Sequence, residues 1–372
     1  MRSHAEIATT SVSWRASRSA GREWSEVRAV QRCFQWRRFP VNCGADETLD
    51  IDFMNSSEPS NSDDTAPQAP PSGSRSFLLE SIFLGPHGVR AGWRAAFYAA
   101  LFFLFLSTAA MAGGRLHIAA FAPGGPITPA VLATQEGLAA LCAIAAALIL
   151  GSLERRRFPD YGMPLTQAFG KNFWLGLLWG IVAISALMLV IRMLGGYSFG
   201  TVDLPPSDAA RYALEWFAAF FLVGVYEEFF FRGYLQFTLT SGMGFWPAAL
   251  LLSCAFGAVH WRNPGEGPVG VLSVFVTGMF LCFTLRRTGT LWFAIGFHAA
   301  YDFGETYLYS VPDSGIVMPG HLLASSFHGP AWLTGGTVGP EGSAFDFVVM
   351  AILFVVFDRV YRLKPHSSEA QA

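Results

Sequence analysis

Three short runs place proton-moving side chains inside an otherwise apolar chain: "EEFFFR" at 227–232, "FGAVH" at 256–260 and "HAAYD" at 298–302. On a helix, Glu228 and Arg232 lie four apart on one face, in the favourable acid-before-base order for an ion pair. That pairing neutralises Glu228. Glu227 projects about 100° away and has no partner on its own helix. A carboxylate left unpaired in apolar surroundings suits general acid or base work near neutral pH. The bland alternative is that all three charges lock helices together.

His298 and Asp302 are also four apart, so the carboxylate can accept an imidazole N–H and fix the orientation and tautomer of the ring. His260 follows Phe256 by one turn, and that ring can wall a site from lipid. One histidine on an apolar helix is more often a satisfied core residue. Two of them, in segments that follow a carboxylate pair, point to chemistry. Glu227, His260 and His298 also form a zinc-type donor set, so metal-bound water stands as the alternative to a reaction without cofactor.

The elements that must carry these residues are membrane helices. The chain is 52% hydrophobic and 14% charged, whereas a soluble domain carries about 25% charged residues. A net charge of −2 gives no basis for binding nucleic acid. A bilayer core of about 30 Å needs roughly 20 apolar residues per helix. Segments 95–114, 130–152, 172–194, 209–236, 244–262, 268–285, 290–309 and 343–361 fit, giving an all-α polytopic bundle of about eight spans.

Basic residues cluster in alternate loops: Arg75, Arg90 and Arg94; Arg155, Arg156, Arg157 and Lys171; Arg286 and Arg287; Arg359, Arg362 and Lys364. This bias puts both termini in the cytoplasm, and the expected location is a bacterial inner (plasma) membrane. Counting from the cytoplasmic ends, His260 lies about 20–24 Å deep and His298 about 12 Å. Glu227 reaches the same depth if its helix runs on to about residue 239, past Gly233.

The transmembrane domain is expected over 76–365, followed by a tail at 366–372. Residues 1–75 read as a disordered region, since their Ser, Pro and Asp content cannot bury enough apolar surface to offset ordering. Met54 is a candidate natural start, with 1–53 an over-extended reading frame. His321 and His328, in the Gly- and Pro-rich 310–342 segment, read as surface residues. The five cysteines form no C-x-x-C pair and read as packing residues. H-E-x-x-H is absent, and Ser241 in "LTSGMG" has Leu239 where a G-x-S-G motif needs glycine. No internal repeat is apparent.

Together E-E-x-x-x-R, F-x-x-x-H and H-x-x-x-(N/D), in this order on successive apolar segments, resemble the CPBP family. These are the CAAX prenyl protease type 2 and bacteriocin-processing intramembrane endopeptidases, also called the abortive-infection family. The lead-in "LRRTGTLWFAIGFHAAYD" at 285–302 is similar to the basic turn before the last motif of that family. The resemblance covers about 205–305. It implies a helical membrane fold with a cavity open to the cytosol, and hydrolysis of a peptide bond in a membrane-associated, prenylated or leader-peptide substrate. Glu227 would activate water with help from His260, His298 and Asp302 would stabilise the oxyanion, and Glu228 and Arg232 would hold the helix. Asp302 stands where the best-studied prenyl proteases carry Asn, so it would orient and charge His298. Two other readings remain: a membrane scaffold of the same fold without proteolysis, and a transporter or proton relay using the Glu/His cluster.

Overall fold

The computed structural model describes residues 82–85, 88–122 and 124–362. The expectations for residues 1–75 and 366–372, including the Met54 start, lie outside the described residues. The rest is mainly helical. In chain order the helices are α1 (Ala91–Arg115), α2 (Pro129–Leu153), α3 (Lys171–Met193), α4 (Pro206–Glu227), α5 (Gln236–Met243), α6 (Phe245–His260), α7 (Pro268–Thr288), α8 (Trp292–Phe303) and α9 (Ala344–Val360). Strand is confined to two-residue ribbons, among them β1 (Tyr197–Ser198) paired with β2 (Ser326–Phe327).

Helix occupies all eight expected segments, but only α1, α2, α3 and α7 are both long and apolar enough to cross a membrane by those criteria alone. The others are interrupted or short. α4 passes into a π-helical segment at Glu228–Leu235, where Gly233 leaves helical geometry (φ −83°, ψ −111°), before α5 resumes the direction. α8 likewise ends in a π-helical segment, Gly304–Leu308. Wide turns of this kind are rare and occur often at functional sites. Here they fall immediately after Glu227 and just beyond Asp302.

Two ends can be told apart. At one, the basic loops gather: Arg94 bonds Glu154, Arg287 pairs with Asp358, and the Trp292 indole donates to Pro164 O. At the other, the β1–β2 ribbon ties the α3–α4 loop to the 310–342 segment. Asn263 there donates to Ser314 O and Tyr307 OH to Ala209 O.

Between the ends, α8 and α3 approach backbone to backbone at glycines. A Cβ placed on Gly176 would lie 2.1 Å from Phe293 O, and one on Gly180 would lie 2.3 Å from Phe297 O. Gly296 meets Phe173 O at 2.3 Å in the same sense. Gly176 and Gly180 form a G-x-x-x-G face, the pattern that lets apolar helices approach where lipid removes any hydrophobic drive between them. Around this seam lies a core of Ile184, Leu187, Phe280, Phe293, Phe297 and Phe357. Asp346 on α9 joins it through Ser273 Oγ (2.6 Å) and Tyr301 OH (3.1 Å).

Because α8 carries His298, this seam positions the site. Gly176→Val forces the helices apart and should cost about 1–3 kcal/mol, the usual range for overpacking. The expected outcome is a lowered melting temperature of the purified protein in detergent; an unchanged Tm would refute the close-packing role.

Candidate active site

Glu227 and Glu228 sit at the junction of α4 and the π-helical segment, and the wide turn lets both reach α8. Arg232 Nη1 lies 3.1 Å from Glu228 Oε1, and both side chains are 0% exposed. The room for this guanidinium comes from Gly278 on α7, where a Cβ would stand 2.8 Å from Arg232 Nη2. The other side of the guanidinium is covered by the Phe256 ring, 4.2 Å from its central carbon to the ring centroid.

The same Glu228 Oε1 accepts from His298 Nδ1 at 2.9 Å. His298 Nε2 lies 3.5 Å from Glu227 Oε2 and 3.5 Å from Asp302 Oδ2. Both ring nitrogens thus face carboxylate oxygens, and Nδ1 donates to Glu228. The spacing argument leaves Glu228 neutralised by Arg232 alone; the structure makes it the shared acceptor of Arg232 and His298. The reason is geometric, since the contact joins residues 70 apart through the α4–α8 packing.

His260 stands apart from this cluster. Its Nδ1 donates to Phe256 O at 2.8 Å, leaving Nε2 for other partners. No ion-pair contact joins His260 to Glu227 among the described residues. Phe256 lies between the two histidines, with ring centroids at 4.7 Å from His260 and 6.2 Å from His298. It is buried among these groups and Phe231 rather than turned to lipid.

Glu227, His260, His298 and Asp302 all line one cavity of about 230 Å³. Sequence reasoning overlooks several of its other lining residues: Glu136 on α2, Tyr301, Asn263, Asp313 and Glu341. Glu136 does carry a signal, being the one carboxylate inside the α2 apolar run. His321 and His328 bond locally, to Leu323 O and Ser326 Oγ, and do not line the cavity. Ser241 bonds Thr238 O and Arg94 at the basic end, away from it.

The cavity reaches toward one end of the described residues. Its lining takes in Asn263, Asp313, Ser314, Ile316, Met318 and Glu341, all at the end away from the basic loops. On the basic side the site has an aromatic floor. Tyr234 stacks on Tyr98 at 4.3 Å and packs on Tyr161 at 5.1 Å, Phe230 packs on Phe102 at 4.6 Å, and Phe229 stacks on Phe158 at 5.3 Å.

Within the described residues, Glu227, His260 and His298 are not among the donor groups that come within 4.8 Å of one another, and His298 Nδ1 already bonds Glu228.

Residues 209–304 match the Rce1-like family model, described as type II CAAX prenyl endopeptidase. This agrees with the CPBP resemblance, and the matched stretch runs from α4 through α8 and holds all three motifs. At the family level it supports a CAAX-type intramembrane protease in a lipid bilayer, an integral membrane protein. No curated protein matches the chain.

The buried pair makes a direct expectation. Arg232→Ala leaves Glu228 without its strongest partner and should destabilise by about 3–5 kcal/mol, as does removal of one member of other buried pairs. Thermal unfolding in detergent measures it. A variant as stable as wild type would show that Glu228 does not depend on the guanidinium.

Proposed function

We propose that the protein is an intramembrane endopeptidase whose water is activated by Glu227 without a metal. The observation that carries this reading is the convergence of Glu227, Glu228 and Asp302 around His298, with Arg232 behind Glu228, at the wall of a cavity inside the segment that matches a protease family.

Glu227 takes a proton from a water in the cavity as its oxygen adds to the peptide carbonyl, and returns that proton to the amine as the C–N bond breaks. The developing oxyanion is met by His298, charged by its carboxylate neighbours and oriented by Asp302. His260 holds the water through Nε2, since its Nδ1 proton is directed to Phe256 O. Glu228 and Arg232 do no chemistry and keep His298 in place. The substrate is a peptide or protein chain within the membrane, and the basic loops face the cytoplasm.

The test is cleavage of a membrane-anchored peptide library in liposomes, with and without a C-terminal prenyl group, by wild type and Glu227→Gln. Wild type should cleave, and the variant should lose activity by at least about 100-fold, the low end for a general base, at an unchanged melting temperature. Wild-type activity should survive exhaustive chelation. Equal cleavage by both proteins overturns the role of Glu227, and cleavage by neither favours a scaffold or a proton path.

A further inference from the structure

Beyond the Glu227–His298 cluster, the structure holds a second group of buried carboxylates. Glu305 lies on the π-helical segment after α8, Asp313 in the following loop and Glu341 in the turn at Pro340–Gly342. One carboxylate oxygen from each lies within 4.8 Å of the others. Glu305 is 0% exposed, and neither of its oxygens has a hydrogen-bond partner. Asp313 Oδ2 accepts from Thr306 Oγ1 at 3.1 Å, and Glu341 Oε2 accepts from Ser314 N at 3.1 Å and Ser314 Oγ at 2.8 Å. No Lys, Arg or His pairs with any of the three among the described residues.

Three carboxylates this close need a compensating positive charge or protons. Oxygens around a calcium ion, at about 2.3–2.6 Å from the metal, stand up to about 5 Å apart across the sphere. Oxygens within 4.8 Å of one another are compatible with that sphere, and an all-oxygen donor set selects a hard cation over zinc.

We propose that Glu305, Asp313 and Glu341 bind one hard divalent cation, with calcium favoured because magnesium is usually held by only one or two carboxylates. Asp313 and Glu341 line the cavity, so the ion has a path in. Bound there, it fastens the 310–342 segment to the end of α8, one turn beyond Asp302. The site is independent of the peptidase reading and uses none of its residues. Without the ion, burial pushes Asp313 up to about 7 and Glu341 up to about 8.

The full chain, purified in detergent and stripped with chelator, is titrated with calcium chloride and with magnesium chloride. Binding is followed by calorimetry and thermal unfolding. Wild type should bind about one calcium per chain and gain about 5 °C in Tm at saturating calcium. Glu227→Ala should bind equally well, whereas Glu305→Gln and, as a second variant in case the first does not fold, Glu341→Gln should lose both responses. Three results overturn the proposal: no saturable binding by wild type, binding retained by the folded carboxamide variants, or binding lost in Glu227→Ala. A proton-neutralised cluster would show itself differently. With folded-state pKa values raised, stability would rise as pH falls from about 8 toward 5, whatever the calcium concentration.

Discussion

The fully buried ion pair between Glu228 and Arg232 is the constraint on which the rest of the site depends. Two charges taken out of water recover their desolvation cost only when geometry is tight and further polar contacts are made. The surroundings meet that demand at specific places. Gly278 makes room for the guanidinium, Phe256 offers it a ring face, and His298 brings a second donor to the carboxylate. Each also fixes something the chemistry needs. Phe256 sets the carbonyl that orients His260, and the Glu228–His298 bond aims the opposite ring nitrogen at Glu227 and Asp302. A structural pair and a reactive cluster are therefore one connected object.

That object needs α4 and α8 at close quarters, with one helix presenting consecutive carboxylates to the other. An unbroken α-helix turns consecutive side chains about 100° apart. Here the helical path widens into a π-helical segment directly after Glu227, and both glutamates contact the same imidazole. On the far side, the glycine seam lets the α3 backbone back α8 directly. Its position is thus set by contacts with little slack, whereas long flexible side chains would leave it free to shift.

Much of this is legible in the residues. Apolar runs of the right length mark the helices, and the four-residue spacing of Glu228 and Arg232 reads directly as a pair. The three motifs together mark a family that the 209–304 match supports. The contacts that organise the site are less visible, because they join distant parts of the chain. Nothing in the spacing says that His298 takes Glu228 as well as Asp302, or that Glu136 on α2 comes to the same cavity. Helix interruption is also hard to read. Gly233 is visible, but the wide turn around it follows from tertiary demands on Glu227 and Arg232 rather than from local propensity. The 310–342 segment, read as an outer loop, proves to supply buried acids to the cavity wall. Its many glycines and prolines say only that it turns.

The aromatic floor has a consequence for exchange with the surroundings. Tyr98, Phe102, Tyr161, Phe230 and Tyr234 pack in stacked and tilted pairs beneath the carboxylates, with Tyr98, Phe102 and Tyr234 fully buried. Two of the tyrosine hydroxyls bond to neighbouring helices, Tyr98 OH to Ala143 O and Tyr234 OH to Glu154. Exchange with solvent along that direction therefore requires these buried rings to move.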